Sequence, residues 1–140
     1  MKRTFALWAA ASLGALLSQT NTSTATIINQ ADSKWTREAK DGPGEESIFL
    51  REDAQSGGME LLVRFPAGHV FAPHWHSANE RIVMLEGRLS FLQGEHEKAI
   101  DAGGYAFLPA HEVQRMTCVS KTRCAFYVYW DGKLDNHAVK

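Results

Sequence analysis

The chain has 140 residues, with 15 basic and 16 acidic side chains and a formal net charge of −1. That length supports one hydrophobic core and not two. A near-neutral chain without a basic run gives no electrostatic case for nucleic acid or an anionic membrane surface, so the partners expected are small molecules or a second copy of the chain.

At the N-terminus, Lys2 and Arg3 precede an apolar run from Phe5 to Leu17, and small polar residues lead on to Ser23-Thr24-Ala25. A charged start, an apolar stretch too short to span a bilayer and a small-residue cleavage site describe a signal peptide over 1–25. The competing reading is a hydrophobic helix of the fold, but the run is uniformly apolar rather than amphipathic. Cleavage after Ala25 leaves 115 residues with 13 basic and 16 acidic side chains. The expected product is secreted or periplasmic, with no membrane contact once the signal is removed.

Residues 26–46 are polar, end in the turn-forming "DGPG" and read as a loose arm, with Trp35 packing on the main body or on a partner. From 47 onward the chain reads as short strands: 47–50, 59–65, 80–85, 88–93, 105–109, 113–118 and 124–130. Their β-branched and aromatic content, and the Gly and Pro punctuation between them, predict an all-β sandwich or barrel over 47–130. The tail 131–140 opens with an Asp-Gly turn and is expected to be mobile at its end. Met84, Tyr105, Phe107, Met116 and Trp130 are candidates to line the barrel interior, or simply to form its core.

The two cysteines, Cys118 and Cys124, bracket the polar segment "VSKTR". In an exported chain a disulfide is the expectation, adding about 2–3 kcal/mol on the chain-entropy account. A metal or redox pair is the alternative, without further cysteines to support it. If the pair faces across a hairpin, Met116 opposes Phe126, Gln114 opposes Val128 and Glu112 opposes Trp130.

The segment "PHWHSANE" (73–80) carries the chemistry. On an extended strand, residues two apart share a face, so His74 and His76 aim two imidazoles at one place and Trp75 points away. Two such imidazoles repel when protonated and are costly to bury unpaired. A divalent cation removes both difficulties, because neutral imidazole is a good ligand for Fe, Mn, Ni, Cu and Zn. Glu80 adds a carboxylate, giving a two-histidine, one-carboxylate set with coordination positions left open.

Gly68, five residues, His74, one residue, His76, three residues, Glu80, six residues and Gly87 together resemble the first motif of the cupins. Gly103 and Pro109 match the start of the second motif, but His111 stands where the family usually has Gly, and Gln114 where it has a fourth metal-ligating His. The resemblance spans roughly 47–130 and implies a double-stranded β-helix (jelly-roll) barrel, a divalent metal and a homodimer. By it, Gln114 is either a weaker fourth ligand, through its neutral carbonyl, or a barrel-lining hydrogen-bonder without metal contact. His111 is the alternative fourth ligand; its strand parity is opposite to that of Gln114, so it is expected to be a surface residue, or else to act at the mouth beside the metal or as a general base. His69, His96 and His137 fall in turns or the tail and have no assigned role. The family implies a metal-dependent enzyme acting on a small oxygenated substrate, of dioxygenase, isomerase, decarboxylase or lyase type. A non-catalytic metal- or ligand-binding protein is the alternative.

Overall fold

The computed structural model describes residues 24–37 and 44–139, so all but the last two residues of the expected signal peptide lie outside the described residues. A short 3-10 turn, Gln30–Asp32, precedes ten strands. They are β1 Glu46–Glu52, β2 Gly58–Phe65, β3 Val70–Trp75, β4 Glu80–Glu86, β5 Arg88–Gln93, β6 His96–Asp101, β7 Tyr105–Leu108, β8 Gln114–Cys118, β9 Cys124–Lys133 and β10 His137–Ala138. They form two five-stranded sheets, ordered β1-β2-β9-β4-β7 and β10-β3-β8-β5-β6, and every pairing between named strands is antiparallel. This is the jelly-roll barrel of the cupins.

The alternation of side chains on each strand explains the layering. On β4, Glu80, Ile82 and Met84 are buried while Val83 and Leu85 are exposed. On β9, Phe126, Val128 and Trp130 turn inward, and on β8 Gln114, Met116 and Cys118 do. Phe65 and Phe126 meet edge to face at 5.1 Å in the core. Gly87 joins β4 to β5 with a positive φ of 79°, and a Cβ there would lie 2.5 Å from the Arg123 carbonyl oxygen. Its place in the first motif thus follows from a left-handed turn pressed against the disulfide loop.

The cysteine pair is joined, with Cα atoms 5.8 Å apart, but the hairpin register expected around it is wrong. Strands β8 and β9 belong to different sheets. Met116 pairs with Phe71 and Phe91, whereas Phe126 pairs with Val63 and Met84. Trp130 pairs with Met59 and Glu80 rather than Glu112. The connection turns a corner from one sheet to the other, and the disulfide ties the two sheets together at that corner.

Three further expectations are corrected. His96 opens the edge strand β6, whose exposed charged residues hide it from hydrophobic periodicity. The Asp131-Gly132 pair is no turn, since β9 runs on through Lys133. The tail is paired over β10, where His137 opposes Trp75 and Ala138 opposes His74. The arm packs on its own barrel: Thr36 bridges Ser47, and the Arg64 guanidinium lies 4.2 Å from the Trp35 ring centre.

Candidate metal centre

His74 owes its direction to a bulge. Phe71 pairs with Met116 and His74 with Gln114, so β3 holds one residue more than β8 over this stretch. Pro73, which has no N–H to give a ladder, sits within the irregularity. The bulge lets both Phe71 and His74 face the interior despite their opposite parity. The Ala72 carbonyl accepts the His74 Nδ1–H at 2.8 Å. His76 is held in the same way, its Nδ1–H donated to the Asp135 carbonyl in a short hydrogen bond.

A carbonyl can only accept, so each ring carries its proton on Nδ1 and presents an Nε2 lone pair. Glu80 opens β4 beside them, with its Oε2 3.6 Å from His76 Nε2. Ligand atoms of His74, His76 and Glu80 all lie within 4.8 Å of one another, and all three residues are buried. Gln114 completes the group. Its Nε2 donates to Glu80 Oε2 at 2.6 Å, while its Oε1 and the His74 Nε2 are buried without a hydrogen-bond partner.

The electrostatics of these groups favour a cation between them. Burial pulls His74 down to about 4 and lowers His76, so both rings are neutral at pH 7. Burial also pushes Glu80 up to about 7, against the opposing effect of the Gln114 hydrogen bond. Converging lone pairs and a desolvated carboxylate repel one another until a positive ion sits between them. The donor set therefore fits a divalent transition metal, with His74, His76 and Glu80 as the residues that would hold it and Gln114 hydrogen-bonded to Glu80 beside them.

The surroundings hold this arrangement in place. Asn79, just before Glu80, donates its backbone and side-chain N–H groups to Asp131 at 3.0 and 2.9 Å and accepts the Ala110 N–H at 3.0 Å. Asp135 Oδ1 accepts the Ser77 N–H at 2.8 Å, and the His137 ring stacks on Trp75 at 3.8 Å. Neither Asn79 nor Asp135 stood out in the sequence. Asp135 reaches His76 through its backbone carbonyl, which leaves no signature in residue type.

A cavity of about 640 Å³ opens from the three ligands, and Met116 and Trp130 line it as expected. Met84 is core instead, and Tyr105 and Phe107 face outward, 57% and 47% exposed. His111 is exposed and outside the cavity lining, its ring 5.2 Å from Trp75. Its φ of 67° explains why glycine suits this position, and its N–H donates to the His76 carbonyl at 2.8 Å. His69 is engaged too, bonded at 2.6 Å to Glu45, a buried residue of the cavity wall.

Comparison with known proteins agrees with this fold. The ChrR cupin-like domain matches residues 23–132. The DNA damage-repair/toleration protein DRT102 of Arabidopsis thaliana is 32% identical over 95 residues, which is 66% of this chain but only 29% of that protein. Among solved structures, the polyketide cyclase RemF from Streptomyces resistomycificus superimposes with a TM-score of 0.69 at 17% identity, over 84% of this chain and 87% of RemF. The DMSP lyase DddQ from Ruegeria pomeroyi gives 0.64 at 19% identity, over 78% and 62% of the two chains.

Proposed function

Since the chain belongs to the ChrR cupin-like domain family, we propose that it is an exported metal-binding cupin, and that it uses its ion as an enzyme on a small oxygenated substrate. The observation that carries this reading is the convergence of two buried Nε2 lone pairs and the Glu80 carboxylate at the end of a cavity. A divalent ion held there would polarise a substrate oxygen as a Lewis acid. The protein's own part is to keep both imidazoles neutral and correctly turned, to leave coordination positions free, and to exclude water with apolar walls. Iron, manganese, nickel, zinc and copper all suit the donors. The similar folds include a cyclase and a lyase, so the fold leaves the reaction type open.

Elemental analysis of protein purified from the periplasm is the test. One ion per chain is expected in the wild type, with loss in His74→Ala, His76→Ala and Glu80→Ala. Equal metal in His74→Ala and wild type would end this reading. His111→Ala should retain the ion; lost turnover with retained metal would give His111 the general-base role. A non-catalytic binding protein is the second reading, favoured by the absence of His111 from the residues lining the cavity and supported if ligands bind without turnover.

A further inference from the structure

The cavity is polar at the metal and at its rim, and apolar in between. Leu61, Val63, Phe71, Phe126, Val128 and Leu134 form much of its wall. Of the wall side chains that are nine-tenths buried, the charged or titratable ones are the three metal ligands and Glu45. The Glu45 carboxylate is engaged by His69. The other polar lining residues, Thr36, Glu46, Ser47, Asp135 and Asn136, are all at least partly exposed, while Trp130 adds a single buried Nε1–H without a hydrogen-bond partner. Among the described residues, no Lys or Arg lines the space. A polyhydroxylated body such as a sugar would lose water at each hydroxyl and meet carbon, whereas a hydrocarbon body would bury its surface against matching walls. Leu134 lies just beyond the family match, which ends at residue 132, so this part of the wall belongs to this chain's own C-terminal segment.

Resting on the metal-site reading, we infer that the substrate is a molecule with one oxygen-bearing, metal-binding head and an apolar body, and that Leu134 helps to select that body. The volume suits a body of aromatic-ring size or larger.

Three hydroxamic acids share one metal-binding head and differ in their bodies: acetohydroxamate, benzohydroxamate and gluconohydroxamate. Calorimetric titration of each into metal-loaded protein should show benzohydroxamate binding at least about tenfold tighter than acetohydroxamate, through added apolar burial. Gluconohydroxamate should bind no tighter than acetohydroxamate. Leu134→Asn should shrink the benzohydroxamate advantage several-fold. Equal affinities, preference for the polyol, or no binding of any probe to a chain carrying one ion would overturn the substrate class while leaving the metal site standing. A chain that takes up no ion would overturn both.

Discussion

Gln114 stands where the cupin resemblance implies a fourth histidine ligand. Its amide faces two ways, with Nε2–H bonded to Glu80 and a buried Oε1 that lacks a partner. If Oε1 joins the ion, it does so as a neutral donor, easily replaced by water. Gln114→Ala should therefore weaken metal retention less than His74→Ala does, and Gln114→His should strengthen it, both read by competition with a chelator. A Gln114→Ala loss as complete as that of His74→Ala would make the amide a primary ligand.

Glu80 carries the pH dependence. In the metal-free chain its carboxyl sits at about 7, so below that pH an incoming ion must displace a proton, and apparent affinity should fall by about tenfold per pH unit. His74, at about 4, adds no competing proton until far lower pH. The stability sign is opposite: a carboxyl raised from 4.5 contributes fully below 4.5 and loses that contribution as pH rises through 7. Between pH 6.5 and 8 the depressed His69, His74 and His76 act in the reverse sense, so the reading is the ion-induced shift: added ion should raise Tm more at pH 8 than at pH 6.5. Identical ion-induced Tm shifts at the two pH values would exclude Glu80 as the controlling group.

The C-terminal segment after β9 is the element whose part the sequence hid most completely. It pairs with β3, donates the Val139 N–H to the Pro73 carbonyl at 3.0 Å, and supplies the carbonyl that fixes the His76 tautomer. Partners that orient a ligand in this way commonly matter about 10–100-fold in metal affinity. A chain stopped after Lys133 should keep the barrel and its disulfide while losing affinity on that scale. Chelator competition alongside a thermal melt separates the two effects. Unchanged affinity in the folded truncation would show that His76 needs no such support.

Taken whole, the molecule is two sheets tied at one corner by Cys118–Cys124, with the candidate metal site drawing on strands of both. Among the described residues, no helix is long and apolar enough to cross a membrane. Export is expected to leave Ala25 or a near neighbour as the last residue removed, with the two cysteines linked; mass spectrometry of periplasmic material reads both. Free thiols in oxidised protein would contradict the second. Homodimerisation is also proposed. Val83, Leu85, Tyr105 and Phe107 form an exposed apolar patch on the β4–β7 face, a more suitable surface for it than the arm, which lies on its own barrel. Light scattering at micromolar concentration should give twice the chain mass, and a monomer would reject the dimer.

Local chemistry made much of this legible in the chain itself. β-branched and aromatic content with Gly and Pro punctuation marked seven strands, and the cupin resemblance carried by Gly68, His74, His76, Glu80 and Gly87 implied the barrel and three converging side chains, because residue types and spacings are properties of the chain itself. Sheet membership is not such a property. The corner between β8 and β9 looks like a hairpin until the strands beside each are known, so the register failed although the disulfide held. Edge strand β6 and the pairing of β10 were decided by what lay alongside them. The tautomers of His74 and His76 were decided by the carbonyls of Ala72 and Asp135, groups every residue possesses and only tertiary structure can aim.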